Sequence, residues 1–279
     1  MKTYFDDISF KTSRLITARY STSFATAVRL LAPSIRQDIY NIYGFVRLAD
    51  EIVDSFHDFN QPDLFFRFSA DLQRALQEGI STNPVLNAFQ HTFNNHAIPR
   101  ELVDAFMASM EKDLSQKNYA SVQDYHDYIY GSADVVGLMC LCVFVGGDKN
   151  QYDSLKRSAM RLGSAFQKIN FLRDLKHDFE LLNRSYFPHA NLAQLGESEK
   201  QAIIAEIEED LRVGFLGILE LPLEAKLGVY VAYVYYKTLL GKLKRIPPVK
   251  ILQARIRISN YHKIGLFAKC YVDYKLHLI

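Results

Sequence analysis

Two segments that lie far apart in the sequence each carry a pair of aspartates four residues apart. In residues 35–56 an apolar side chain recurs every three or four positions, and beside this stripe run Tyr43, Arg47, Asp50 and Asp54. Residues three and four apart share one face of a helix. The spacing therefore predicts an amphipathic helix with an arginine and two carboxylates beside its core face.

The second segment, residues 159–188, repeats the arrangement. Gly163, Gln167, Asn170, Asp174 and Asp178 fall on one polar helical stripe among apolar residues. Unpaired carboxylates are costly in such surroundings, and a divalent cation would remove the conflict. Two such helices facing each other across a cavity could hold several Mg²⁺ ions, with substrate phosphates completing the octahedral ligand sets.

Helical periodicity runs through the rest of the chain, and no alternating strand pattern interrupts it. We expect an all-α fold and one domain over residues 1–279. Pro33 introduces the first carboxylate helix, with Ser34 as its expected N-cap. Further helices are predicted over residues 14–31 (as one helix or a pair), 64–78, 84–94, 101–114, 121–147, 197–212 (largely exposed), 223–243 and 249–276.

Composition limits the function classes. A formal net charge of +2 gives no general case for nucleic-acid binding. The three cysteines fit neither a disulfide framework nor a zinc pair, and residues 1–14 contain no apolar leader. The longest apolar run, residues 135–145, is shorter than a membrane-spanning helix needs. A cytoplasmic location is expected.

The C-terminal region is strongly basic. Residues 237–275 contain ten lysines and arginines and one acid, Asp273. A solvated basic face is one interpretation. The alternatives are attraction of anionic substrates and peripheral contact with the anionic inner face of a membrane.

Two shorter features are open to more than one interpretation. The hydroxyls of Ser21 and Ser23, in the stretch YSTSF, could bond to phosphate oxygens or could cap a helix. Asp134 lies inside the apolar segment 121–147, where a carboxylate without a partner would be costly.

Taken together, these motifs resemble a known family. YSTSF, YGFVRLADEIVD at 43–54, the Y-x-Y…VVG stretch at 128–137, QKINFLRDLKHD at 167–178 and RSYFP at 184–188 are similar to the squalene and phytoene synthases. The bacterial 15-cis-phytoene synthases are the nearest branch. The resemblance implies a helical isoprenoid synthase fold with a central cavity between helices.

The resemblance also implies roles for individual residues. Asp50, Asp54, Asp174 and Asp178 would bind Mg²⁺, with Mn²⁺ as an alternative, and Arg47 and Arg173 would assist catalysis. The substrate site would include Ser21, Ser23, Phe24, Tyr43, Gln167, Asn170, Arg184 and Tyr186. The chain departs from the family pattern at His177, where glutamate is frequent, and at Asp134, where glycine is usual.

The implied reaction joins two geranylgeranyl diphosphates head to head into phytoene, through a cyclopropylcarbinyl diphosphate, in carotenoid biosynthesis. No NADPH is expected for this reaction. The alternative within the family uses farnesyl diphosphate and yields squalene, dehydrosqualene or hydroxysqualene. A non-catalytic scaffold is a third interpretation, disfavoured by the presence of all four aspartates. Head-to-tail prenyltransferases typically carry D-D-x-x-D motifs, which this chain lacks.

Overall fold

A computed structural model of the chain describes residues 1–116, 119, 121–180, 186–187 and 195–276, without the side chains of residues 177–180 and 260. The described residues form helices and no strand, which confirms the all-α prediction. The helices are α1 Lys2–Tyr20, α2 Thr22–Arg29, α3 Pro33–Asp54, α4 Gln61–Glu78, α5 Pro84–Asn95, α6 Arg100–Asp113, α7 Val122–Ile129, α8 Val135–Phe144, α9 Lys149–Glu180, α10 Glu197–Glu220, α11 Leu223–Arg245, α12 Pro248–Ile251 and α13 Asn260–Lys275.

Local chemistry sets the helix boundaries. Ser21 caps α2 by accepting a hydrogen bond from the Phe24 amide. Helix capping is one of the two roles expected for the hydroxyls of the YSTSF stretch, the other being phosphate binding. Pro33 opens α3 as predicted, but the prediction that Ser34 caps this helix is wrong. Ala32 holds that position, and Ser34 is already inside the first turn.

The apolar stripe of α3 faces the core as predicted. Ile39, Ile42, Ala49 and Val53 are buried, and α3 contacts α1, α5 and α8 around them. This packing orients the neighbouring polar stripe of α3 toward a different side of the bundle. The burial of one stripe therefore positions the other.

The predicted helix 121–147 is a nearly continuous rod with a π-helical turn, Tyr130–Asp134, between α7 and α8. By length and composition alone, Val122–Phe144 could cross a membrane. Core helices satisfy the same criteria, and 56% of its most apolar window is buried inside the protein. The rod contacts α6 and α9 and forms part of the core.

Helix α10 differs from the prediction of a largely exposed helix at 197–212. It extends to Glu220, and it forms the most extensive helix–helix interface of the structure, with α9. Ile204, Ile207 and Leu211 are buried in this interface. The charged residues that suggested exposure are partly internal, because Asp210 pairs with the buried Lys168 of α9 at 2.6 Å.

The C-terminal region is not the single helix predicted over 249–276. α12 ends at Ile251, and α13 begins at Asn260. Between them Ile256 and Ile258 are buried while Arg255 and Arg257 are exposed. This alternation has the period of an extended chain, which explains why the helix is interrupted there.

The N-terminal prediction also started too late, since α1 begins at Lys2 rather than near Arg14. α1 packs against α3 and α5. One buried cluster joins side chains from α2 through to the segment that precedes α13. A cavity opens within this bundle between α2, α3, α8, α9, α10 and α11.

Candidate functional site

The polar stripe of α3 forms a tight ion-pair group. The guanidinium of Arg47 binds both Asp50 and Glu51. It also lies 4.5 Å from the ring centre of Tyr20, in a cation–π contact. Arg47 is thereby held on the side of the helix where the two aspartates lie.

Other carboxylates lie near Asp50. Burial, followed by the nearby charge of Asp54, raises the pKa of Asp50 well above its ordinary value, although Arg47 opposes the shift. Asp113 of α6 adds further negative charge. Carboxylates that lie this close together can attract a cation.

Asp113 was not predicted as a site residue. Its carboxylate accepts hydrogen bonds from Tyr119 at 3.2 Å and from Tyr128 at 2.9 Å. The Tyr128 ring lies 6.0 Å from that of Phe171 on α9. Asp113 therefore helps to connect the carboxylate region of α3 with α9.

On α9 the first aspartate of the second pair is held by two arginines. Arg173 donates from Nε to Asp174 Oδ1 at 3.0 Å, and Arg255 donates to the same oxygen at 2.7 Å. Burial lowers the pKa of Arg173, but the hydrogen bond and charge of Asp174 outweigh it and raise the pKa. Arg255 comes from the extended segment before α13, so helical periodicity gave no signal for it.

A cleft of about 420 Å³, which we call the polar cleft, lies beside the two arginines that hold Asp174. It is lined by the hydroxyl residues of the YSTSF stretch and by four cationic side chains, and no carboxylate belongs to its described lining. These groups can bind phosphate oxygens. They are Ser21, Thr22, Ser23, Arg173, Arg255, Arg257 and Lys263.

A second space of about 300 Å³, the apolar cavity, adjoins the polar cleft. Phe24, Ala232 and Tyr236 line both spaces and form the wall between them. Deeper in the bundle the lining is aliphatic and aromatic, with small residues between the larger ones. An apolar chain attached to an anionic head group matches this pair of compartments.

Aromatic and amide groups lie where the two compartments meet. The rings of Phe24 and Tyr43 stack with centres 4.6 Å apart, and Tyr236 stacks on Phe166 at 4.0 Å. The Tyr236 hydroxyl donates to Asn170 Oδ1 at 3.3 Å. Burial raises the pKa of Tyr43 to about 12, so its phenol stays neutral and retains its proton.

Gly163 lets α9 pack closely against the π-helical turn. A Cβ at this position would lie 2.9 Å from the carbonyl oxygen of Ala133. Gly163, Gln167 and Asn170 all line the apolar cavity. The polar stripe predicted on α9 thus follows the cavity wall up to Asp174.

The structure brings seven of the fourteen predicted site residues into the linings of these two compartments. Arg47, Asp50, Asp54 and Asp174 are not among the residues that line either space. Ser21, Ser23, Phe24 and Arg173 line the polar cleft, and Tyr43, Gln167 and Asn170 line the apolar cavity. Tyr186 does not line either space; its ring stacks on Phe171 with centres 3.9 Å apart. Arg184 and the side chain of Asp178 lie outside the described residues.

No group of three or more His, Cys, Asp or Glu side chains that could hold a metal ion occurs within the described part of the chain. The described ligand candidates are Asp50 and Asp54 on α3 and Asp174 on α9. A metal here would need oxygen ligands from other sources, such as phosphate. This requirement is consistent with a site completed by a diphosphate substrate.

Comparison with known proteins shows that the chain is similar in sequence to phytoene synthases from bacteria and plants. The chain is 26% identical to a 15-cis-phytoene synthase from Paracoccus sp., with 88% of this chain and 85% of that protein aligned. It is 25% identical to the chloroplast phytoene synthase 1 of Solanum lycopersicum over 82% of this chain, and the match spans 60% of that longer protein.

Among solved structures, a dehydrosqualene synthase in complex with ligand superposes with a TM-score of 0.83 at 20% identity, covering 97% of this chain and 98% of that one. This similarity shows the isoprenoid synthase fold. The family model described as squalene/phytoene synthase matches residues 17–262, which include α3, the lining of the apolar cavity and the lining of the polar cleft except Lys263. The chain therefore belongs to the squalene/phytoene synthase family.

Proposed function

We propose that this protein condenses two geranylgeranyl diphosphates head to head to form phytoene. The observation that carries the proposal is the junction of the cationic polar cleft with the apolar cavity, beside Asp174, whose partners Arg173 and Arg255 line the cleft. The names of the similar phytoene synthases support the C20 substrate.

The carboxylates fit a divalent metal, because Asp54 lies close enough to Asp50 to raise its pKa and carboxylate oxygens are ligands that Mg²⁺ prefers. Asp50, Asp54 and Asp174 would hold Mg²⁺, or Mn²⁺ as an alternative, together with Asp178 as the resemblance implies. When bound, the metal supplies neutralisation of the charge that develops on the departing diphosphate.

The chain's own residues account for the remaining requirements. Arg173 and Arg255 would orient the diphosphate, and the hydroxyls of Ser21 and Ser23 would donate to its oxygens. Loss of the first diphosphate leaves an allylic cation. The double bond of the second substrate attacks this cation and leaves a tertiary cation. Loss of a proton to the released diphosphate, from the carbon that carried the first diphosphate, closes the ring and gives a cyclopropylcarbinyl diphosphate.

Departure of the second diphosphate, rearrangement and loss of one proton to a released diphosphate would then give the hydrocarbon. Water would quench each cation, and the apolar lining of the cavity excludes it. The faces of Phe24, Tyr43 and Tyr236 lie near the junction of the two compartments and would stabilise positive charge there. No step consumes a reductant, so no NADPH is needed for phytoene.

The decisive experiment is incubation of the purified protein with Mg²⁺ and either geranylgeranyl or farnesyl diphosphate, without NADPH. Mass spectrometry of the organic extract identifies the product. A C40 hydrocarbon is the expected result. A C30 product made only from farnesyl diphosphate would instead favour the squalene-type alternative. We keep this alternative because the fold of the chain is similar to that of a dehydrosqualene synthase.

The metal assignment has its own test. Asp50→Ala and Asp174→Ala are expected to abolish turnover and leave the helical circular dichroism spectrum unchanged. Asp58→Ala is the matched control, because Asp58 is exposed just beyond the end of α3. Near-normal activity of Asp174→Ala would contradict the assignment.

A further inference from the structure

Helix α13 has an unusual outward side. Tyr261 is 89% exposed, Ile264 65%, and Leu276, which follows the last turn, 63%. Val272 and Tyr271 are also exposed. At helical spacing these five side chains fall on one half of the helix, so they form a continuous apolar stripe on the surface.

The other half of α13 is already occupied. Cys270 is buried against α11, and Phe267 and Tyr274 pack with it against Leu227 and Val231. The helix is therefore apolar on both sides, although among the described residues only its inward side has a partner. Burial of the core does not account for the outward stripe.

The charges on α13 are divided in the same way. Its one acid, Asp273, lies on the inward half and accepts a hydrogen bond from Tyr230 at 3.4 Å. Lys269 and Lys275 are exposed on the outward half with the apolar stripe. The outward half thus combines apolar and tyrosine side chains with lysines and carries no acid.

We propose that the outward half of α13, comprising Tyr261, Ile264, Lys269, Tyr271, Val272, Lys275 and Leu276, docks on an anionic lipid membrane. Apolar side chains would enter the boundary between head groups and acyl chains, and the tyrosines would sit at that boundary. The lysines would meet the lipid phosphates, with their stems along the apolar surface.

A second copy of the chain fits this surface less well. A two-fold contact would place the same half of α13 on both sides, which brings lysines toward lysines without an acid to pair them. An anionic membrane is complementary to both the charge and the hydrophobicity. The proposal rests on this surface alone and does not depend on which prenyl substrate the protein uses.

The position of α13 gives the contact a consequence for the site. Lys263, on its inward half, lines the polar cleft and lies 5.6 Å from the ring centre of Tyr235. The same short helix therefore forms a wall of the cleft and the proposed membrane contact. Docking would hold the cleft close to the lipid surface.

The test uses the lack of tryptophan in the chain. Tyr261→Trp places a single fluorophore on the proposed surface, and Phe66→Trp, on the exposed face of α4, is the matched control. With vesicles containing one-third phosphatidylglycerol, the emission at position 261 should shift to shorter wavelength and be quenched by brominated acyl chains. The emission at position 66 should do neither.

Co-sedimentation with the same vesicles measures the energetics. Lys269→Gln with Lys275→Gln should weaken partitioning by roughly tenfold or more, and Ile264→Ser with Val272→Ser by a similar factor. The controls, Lys112→Gln with Lys149→Gln and Ile80→Ser with Leu216→Ser, should partition like the parent. High salt, or vesicles of phosphatidylcholine alone, should reduce binding of the parent.

Three results would overturn the proposal. Negligible sedimentation of the parent with anionic vesicles at low salt would exclude a membrane as the binding partner of α13. Sedimentation that the α13 variants do not weaken would move the contact to another surface. A blue shift at position 261 that grows with protein concentration and needs no vesicles would identify a second copy as the occupant.

Discussion

At the residue scale, Asp134 is a buried carboxylate whose main described partner is neutral. It accepts a hydrogen bond from Ser164 at 2.6 Å and is 7% exposed. Burial raises the pKa of Asp134 from 3.8 to about 6, and the negative charge of Asp210 adds to the rise. The hydrogen bond from Ser164 and the positive charges of Lys168 and Arg161 oppose it. The folded protein thus binds this proton more tightly than the unfolded chain does.

The stability contributed by the protonated form is complete below pH 3.8 and is lost as the pH rises to about 6. We predict that Asp134→Asn raises the free energy of unfolding at pH 7.5, by at most about 3 kcal/mol. Near pH 4 the gain should nearly vanish. Urea unfolding at the two pH values measures it, and an equal gain at both would contradict the pKa argument.

Arg255 permits a second residue-scale prediction, because it is half-exposed yet contacts Asp174. Arg255→Ala should leave the thermal midpoint nearly unchanged. It should weaken the binding of pyrophosphate with Mg²⁺ about fivefold or more, since a charge-assisted donor is lost from the polar cleft. Calorimetric titration measures this. Lys250→Ala, on exposed α12, is the control, and equal affinity in both variants would exclude Arg255 from the site.

At the element scale, a buried ion pair joins α9 to α10. Lys168 contacts Asp210 at 2.6 Å, and both are about 1% exposed. Lys168→Met should lower the free energy of unfolding by about 3 kcal/mol, because the buried Asp210 would lose one of its two described ion-pair partners and keep Arg161. The double variant Lys168→Met with Asp210→Leu should recover much of the loss. Additive losses in the double-mutant cycle would show that the two side chains are not coupled.

The contact between α9 and the π-helical turn supports another element-scale prediction. Gly163→Ala should destabilise the fold by about 1–3 kcal/mol, because the new methyl group would overlap the Ala133 carbonyl. Gly241→Ala is the matched control. Position 241 is also helical but has open space, and alanine there should stabilise the protein by about 0.5–1 kcal/mol. A Gly163→Ala variant as stable as the control would refute the close approach.

Helical periodicity predicted α3 and α9 well, because each carries a regular apolar stripe that the core buries. It failed where tertiary structure decides. Charged residues on α10 pointed to exposure, yet Asp210 turns inward to meet Lys168. Arg255 reaches Asp174 from a segment that is extended, not helical, and Asp113 reaches the site from α6. No sequence period encodes those approaches.

At the scale of the whole molecule, the two compartments should act together. A prenyl thiodiphosphate would place its head in the polar cleft and its chain in the apolar cavity. With Mg²⁺, a concentration near 100 times the dissociation constant should raise the thermal midpoint by about 5–10 °C. Pyrophosphate with Mg²⁺ should give a smaller shift. Asp174→Asn should lose the Mg²⁺-dependent part, and a shift equally large without Mg²⁺ would separate the metal from head-group binding.

Because the polar cleft and the apolar cavity share the wall of Phe24, Ala232 and Tyr236, a molecule that occupies both is held by two kinds of contact, and this affects how long it stays bound. Under the proposed function, the substrates and the cyclopropyl intermediate all carry a diphosphate, so the cations of the polar cleft retain them. The finished hydrocarbon has no such anchor and is held by apolar contacts alone. The protein would thus distinguish unfinished from finished molecules by their charge.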